Sequence, residues 1–172
     1  MLKKIRRVMT GHNEEGKSIV LYDGWASSVE SPSSEPNVGM TDLWETTKTP
    51  PTNLGNEDAA ARPVKLPPPP NGTIFRIVEL PPDSDRNYSH LKSLGEEGKA
   101  MEAGERHPGF HRTSSVDYIV MLEGELYCML QEGEILLKPG DCLIQRGTSH
   151  AWSNRSNKRA IIAAIMMDAE PL

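Results

Sequence analysis

The sequence predicts an all-β fold, and three observations support this prediction. After Pro108, short apolar runs of strand length recur along the chain. Turn residues, mostly Gly with Glu or Pro, separate these runs at intervals of about 8–12 residues, as in antiparallel sandwiches and barrels. No stretch of the chain shows apolar residues at helical spacing. We therefore expect an antiparallel sandwich or barrel over roughly residues 72–168.

The individual elements follow from the alternation of apolar runs and turn residues. Residues 5–24 predict an opening hairpin, because two runs flank a polar, glycine-containing turn. A short strand is expected within 40–47 and a longer one over 72–82, where β-branched residues are frequent. The other strands are predicted at 117–122, 126–130, 135–137, 142–144, 150–152 and 160–167.

Proline sets the N-terminal part of the chain apart. Residues 27–70 are rich in Pro, Ser, Asn and Thr, which favours extended backbone over regular elements. We therefore expect a hairpin and Pro-rich arm over 1–71, packed on a barrel domain over 72–172. The polar segment 83–107, with a short helix expected around Tyr88–Leu94, is either loose filler or a lid over a site.

Composition excludes several classes of function. The formal net charge of −5 opposes general binding to nucleic acid, because phosphates require clustered Lys and Arg. No apolar run approaches the about 20 residues that span a bilayer. Two cysteines, Cys128 and Cys142, make no disulfide framework, and their apolar surroundings predict small buried side chains. A cytoplasmic protein without a secretory leader is expected.

Two motifs contain the candidate chemistry. In the first, His111 is followed by Thr113 and Asp117, and the second is PGDCLIQRGTSHAWSN, from 139 to 154. Together they resemble the two signatures of the cupin superfamily, G(x)5HxH(x)3–4E(x)6G and G(x)5PxG(x)2H(x)3N. This resemblance implies a double-stranded β-helix, or jelly-roll barrel, with the N-terminal arm extending from it.

The chain departs from the family pattern at three positions and in one spacing, because Gly140 and Gly147 are one residue closer together than in the pattern. Asp117 replaces the usual Glu, Thr113 replaces the second His of HxH, and Gln145 replaces the Pro of the second motif. The resemblance nevertheless implies that His111, Asp117 and His150 are the catalytic residues and the ligands of a divalent ion. Two imidazoles and one carboxylate suffice for Fe, Mn, Ni, Zn or Co, and no organic cofactor is implied.

Two alternatives to this ligand set remain open. In a site without metal, Asp117 fixes the tautomer of a neighbouring histidine and makes it a general base. His107 is a candidate for the missing ligand, against the simpler interpretation as a histidine of a surface loop.

Five further residues near the motifs are candidates for binding the substrate: Arg112, Thr113, Tyr118, Arg146 and Trp152. The two arginines offer forked hydrogen bonds to a carboxylate, against the simpler role of surface ion pairs. Strand alternation places Tyr118 and Asp117 on opposite faces, so that one of them faces solvent. Trp152 shares a face with His150 and is either an aromatic wall for a ring-shaped ligand or part of the core.

Three functions of different classes are compatible with these residues. The preferred one is a metal-dependent lyase of the dehydratase, decarboxylase or isomerase type, acting on an oxygenated organic acid or polyketide-like ring of secondary metabolism. The second is a non-haem Fe(II) dioxygenase. The third is a metal-free module that binds a ligand without catalysis. Thr113 supports this alternative, because it stands where the family pattern has a histidine ligand. The expected partner is a small-molecule substrate, and the resemblance also implies a homodimer that the arm helps to form.

Overall fold

A computed structural model describes residues 1–31, 37–86, 88 and 106–171. These residues form strands joined by turns and one turn of 3-10 helix at Asp83–Asp85, which confirms the predicted all-β jelly-roll barrel. The strands are β1 (Arg6–His12), β2 (Ser18–Trp25), β3 (Ser28–Glu30), β4 (Gly39–Thr46), β5 (Thr73–Leu80), β6 (Ser115–Glu123), β7 (Leu126–Leu130), β8 (Glu134–Leu137), β9 (Cys142–Arg146), β10 (His150–Ser153) and β11 (Ala160–Asp168). The helix expected around 88–94 lies outside the described residues except for Tyr88.

Two antiparallel sheets enclose the core of the barrel. The larger sheet has the order β3-β4-β5-β11-β6-β9, and the smaller has the order β10-β7-β8. Strand β11 is central, since Ala163 lies opposite Ile77 of β5 on one side and Val120 of β6 on the other. Strands β1 and β2 form a separate hairpin, as the sequence predicts.

Alternation along each strand decides which residues enter the barrel. On β6, Ile119 and Met121 are buried, whereas Tyr118 is 44% exposed on the other face. The inward residues of β6 pack with Ile162 of β11 and with Leu126 of the smaller sheet in one apolar cluster. This apolar cluster occupies one part of the barrel interior. Buried polar residues, among them Asp42 and Asp117, occupy another.

The strands predicted from residue 72 onward are all present. The predicted burial of Cys142 is wrong. Cys142 is exposed, whereas only Cys128 is buried. Cys142 begins β9, the edge strand of the larger sheet, and alternation turns it outward together with Ile144. An apolar run on an edge strand therefore does not require burial of every residue in it.

The N-terminal part supplies strands to the barrel as well as the hairpin. The strand expected within 40–47 is β4, which pairs with β5 in the larger sheet, and the short β3 beside it was not predicted. No helix within the described ranges is long and apolar enough to cross a membrane.

A buried group of charges ties the arm to the barrel. The Asp42 carboxylate is fully buried and accepts hydrogen bonds from Arg76 Nε at 2.9 Å and from Arg62 Nη1 at 2.9 Å. Arg76 also donates to the backbone oxygen of Leu66 at 3.2 Å. Because buried charges are tolerated only when paired, these contacts hold residues 62–66 against β4 and β5.

The packing of β11 gives a first prediction. Ile162→Ala leaves a cavity at a side chain that is 2% exposed, and should lower the free energy of unfolding by about 2–5 kcal/mol. Ile144→Ala, at a side chain that is 57% exposed, removes the same atoms and should change it by less than about 0.5 kcal/mol. Urea unfolding followed by circular dichroism measures both; equal losses would contradict the described core.

Candidate active site

Two histidines from distant parts of the chain meet at one end of the barrel. His111 lies before β6 and His150 begins β10, and the two backbones exchange hydrogen bonds of 2.9 and 3.0 Å. Their side chains therefore lie next to each other, with ring centroids 4.4 Å apart and an angle of 52° between the ring planes. The structure thus brings together the two imidazoles that the motifs identified.

Backbone carbonyl groups set the orientation of both imidazoles. His111 Nδ1 lies 2.9 Å from the oxygen of Gly109, and His150 Nδ1 lies 2.9 Å from the oxygen of Thr148. A carbonyl oxygen only accepts hydrogen bonds, so Nδ1 carries the proton in each ring. In the neutral form of each ring, Nε2 is then the nitrogen with the lone pair.

Gln145 supports the turn that precedes His150. Its side-chain Nε2 donates to the backbone oxygen of Thr148 at 3.3 Å and also to the Thr148 hydroxyl. The same backbone oxygen accepts from His150, so Gln145 helps to hold the group that orients the imidazole. Gln145 is 3% exposed. The sequence marked this residue as a departure from the motif but did not predict its role.

The surroundings of His150 keep its imidazole neutral. The residue is 4% exposed, and the ring of Trp152 lies edge-on at a centroid distance of 5.6 Å. Burial, together with the neighbouring His111, lowers the pKa of His150 to about 3, although the hydrogen bond to Thr148 acts in the opposite direction. His150 is therefore a neutral base at physiological pH. Trp152 contacts it and also packs against the core.

Asp117 lies inside the barrel, where Ser115 and Arg76 influence its carboxyl group. It is 5% exposed on the inner face of β6, and within the described residues its Oδ1 has no hydrogen-bond partner. Burial raises the pKa of this carboxyl group, whereas the hydrogen bond with Ser115 and the charge of Arg76 lower it. The carboxyl group thus lies in an environment that disfavours its charged form.

The predicted metal-ligand set is not brought together. In the part of the chain that the structure describes, no three His, Cys, Asp or Glu side chains are placed to hold a metal ion. The two imidazoles meet, but Asp117 is not grouped with them, and Ser115 and Arg76 are the neighbours that influence its carboxyl group. Among the described residues His107 does not complete the set either. Its Nε2 lies 4.0 Å from a carboxylate oxygen of Asp83. Two imidazoles fall short of a three-ligand site, so the described residues do not fit the divalent ion, and no step below involves one.

The remaining predicted residues separate into two places. Arg112, Thr113 and Arg146 line a cavity of about 160 Å³ at the end of β6 and β9, and neither His111 nor His150 lines it. Tyr118 lies on the outer face of the larger sheet, away from Asp117 on the inner face. Of the predicted substrate-binding residues, Trp152 contacts the histidine pair through the ring of His150.

Comparison with known proteins finds a family model that resembles the C-terminal part of the chain. Residues 99–166 match the family model described as a cupin domain. This region contains His111, Asp117 and His150 and spans β6 to β10 and most of β11. This part of the chain is therefore similar to a cupin domain.

The curated relatives are fungal proteins. Phomopsin biosynthesis cluster protein C' of Diaporthe leptostromiformis is 33% identical over 60% of this chain and 44% of its own length. Oryzines biosynthesis cluster protein J of Aspergillus oryzae is 29% identical over 98% of this chain and 86% of its own length. The cupin-domain-containing oxidoreductase virC of Hypocrea virens is 24% identical over 99% of this chain and 79% of its own length. The match thus spans less than half of the first relative and most of the other two.

The buried neutral His150 predicts a dependence of stability on pH. An unfolded chain takes up a proton at this histidine below about pH 6.5, whereas the folded chain does not until about pH 3. The contribution of the neutral His150 imidazole to the free energy of unfolding is therefore fully present above about pH 6.5 and is lost as the pH falls toward 3. Between about pH 6.5 and 5, protonation of this histidine in the unfolded chain should lower the free energy of unfolding by about 2 kcal/mol.

Urea unfolding of the His150→Asn variant measures this contribution. The asparagine amide can still donate to Thr148, but the group that titrates is gone, so the variant should lose less stability than the wild type on acidification. His12→Asn, at an exposed histidine, is the matched control and should behave like the wild type. Identical pH profiles for wild type and His150→Asn would contradict a buried neutral imidazole.

Proposed function

We propose that this chain is a small-molecule cupin enzyme that moves a proton on an oxygenated organic acid, in a reaction of the dehydratase, decarboxylase or isomerase type. The observation that supports the proposal is the pair of imidazoles, 4.4 Å apart, each oriented by a backbone carbonyl. Two of the relatives are named for fungal biosynthesis clusters, which supports a substrate from secondary metabolism.

His150 is the proton acceptor in this proposal. Its Nε2 carries the lone pair, because Nδ1 donates to Thr148. With a pKa of about 3 the imidazole is a weak base in the absence of substrate. A bound carboxylate, or the negative charge that develops on an enolate, favours the protonated imidazole and raises this pKa. The base therefore becomes stronger when the substrate is bound and as the transition state forms.

His111 and Trp152 both lie against the ring of His150. His111 presents a second imidazole to a substrate that contacts His150, and so offers a second group for proton transfer. Trp152 supplies an apolar wall next to His150, which suits a substrate with a ring. The Trp152 ring excludes water from this side of His150 and so strengthens the electrostatic contacts with the reacting atoms.

Hydrogen–deuterium exchange tests the proposed proton transfer without knowledge of the natural substrate. The protein is incubated in D2O with a panel of β-keto and β-hydroxy acids, and proton NMR follows exchange at the carbon next to the carbonyl and the appearance of product. We expect exchange with at least one acid, and a loss of about 10²-fold or more in His111→Asn and in His150→Asn. His12→Asn, at an exposed residue of β1, should keep the wild-type rate.

Two results would contradict this function. One is exchange that persists in both variants of the histidine pair; the other is the absence of exchange across the whole panel. Thermal unfolding of each variant at neutral pH shows that any loss of rate occurs in folded protein.

A second candidate function is oxidation, because one relative is named a cupin-domain-containing oxidoreductase. Oxygen uptake by the protein as purified, with candidate catechols or flavonols, tests it, and elemental analysis of the same protein accompanies the assay. Oxygen uptake without proton exchange would favour this candidate over the first.

A further inference from the structure

Two arginines in this structure differ from all the others. Of the ten arginines in the sequence, eight form hydrogen bonds or ion pairs with described residues. Arg112 and Arg146 are the two for which the described part of the chain provides no such partner. Both line the same cavity at the end of β6 and β9.

The same cavity offers hydroxyl groups beside the two guanidinium groups. Thr113 and Ser115 line it, and their hydroxyl oxygens lie 2.8 Å apart. Ser115 is 2% exposed, so this part of the wall is formed by a buried polar side chain. The two guanidinium groups match the oxygens of an anion, because they are positively charged and donate hydrogen bonds to them, and the hydroxyls make the adjoining wall polar.

The volume of the cavity and the negative charges around it favour a singly charged organic anion. The cavity, at about 160 Å³, is far larger than the about 10–15 Å³ that one water requires, so it has room for a small organic molecule. Glu170 also lines it, and the chain has a net charge of −5. Both features disfavour a doubly charged phosphate more than a singly charged carboxylate.

We propose that the cavity formed by Arg112, Thr113, Ser115, Arg146, Gly147 and Glu170 is a binding site for a small organic carboxylate, held by the two arginines. We name it the arginine cavity. It is separate from the histidine pair, and the proposal does not depend on the reaction proposed for that pair. Thr113 lies two residues from His111, so the Cα atoms of these two residues are at most about 7 Å apart.

Isothermal titration calorimetry with benzoate tests the proposal, with benzamide as the neutral control of the same shape. We expect benzoate to bind and benzamide not to bind at the same concentration. Arg112→Gln and Arg146→Gln should each weaken benzoate binding by at least about tenfold, since each removes a charged hydrogen-bond donor. Both residues are exposed, and thermal unfolding of each variant shows whether its fold is kept.

Three further measurements make the test specific to this cavity. Arg6→Gln removes the same charge from the hairpin, where Arg6 pairs with Asp23, and should leave benzoate affinity within about twofold. His12→Asn, at an exposed histidine of β1, should leave it within about twofold as well, because the arginine cavity does not include that residue. Inorganic phosphate should bind more weakly than benzoate.

Several results would overturn the proposal. These are no binding of benzoate up to tens of millimolar, equal binding of benzamide, or tighter binding of phosphate. Losses in Arg6→Gln equal to those in the cavity variants would show a general effect of charge instead of a site. Loss of benzoate binding in His150→Asn, with normal binding in both arginine variants, would place the carboxylate on the histidine pair.

Discussion

The candidate active site depends on a reciprocal pair of backbone hydrogen bonds between His111 and His150. These residues are 39 positions apart in the sequence, and only this short antiparallel contact places their rings side by side. The same contact extends the smaller sheet next to β10, so the distance between the imidazoles is set by sheet geometry and not by flexible side chains. The carbonyls of Gly109 and Thr148 then select Nδ1 as the protonated nitrogen. A site built in this way holds its two imidazoles in place before any ligand arrives.

The barrel interior combines an apolar part with a polar part. Met121, Leu126 and Ile162 supply the burial that stabilises the fold, because apolar area removed from water is the main favourable contribution to folding. The polar part contains Asp42 with its two arginines, and Asp117 with one oxygen that has no partner among the described residues. Burying such groups costs free energy unless they are paired. The pairing of Asp42 with two arginines offsets this cost, whereas the unpartnered oxygen of Asp117 leaves part of it uncompensated.

The sequence predicted the fold better than the site, for physical reasons. Strand positions are local properties of apolar runs and turn residues, and the strands from β5 to β11 appear where those patterns place them. The meeting of His111 with His150 was predictable because the spacing in two motifs carries information about the barrel. Whether Asp117 reaches the histidines depends on tertiary contacts, and Arg76, from a strand with no recognisable motif, takes part in its surroundings. The exposure of Cys142 likewise follows from the edge position of β9, which no local pattern encodes.

The protonation state of His150 tests the central claim most directly, since the proposed chemistry requires a neutral ring with the proton on Nδ1. Nitrogen-15 NMR of histidine-labelled protein distinguishes the two neutral tautomers and the imidazolium. The account predicts that His150, assigned with the His150→Asn variant, has a protonated Nδ1 and an unprotonated Nε2 from about pH 7 to about pH 5. A proton on Nε2, or formation of imidazolium near pH 6.5, would contradict it.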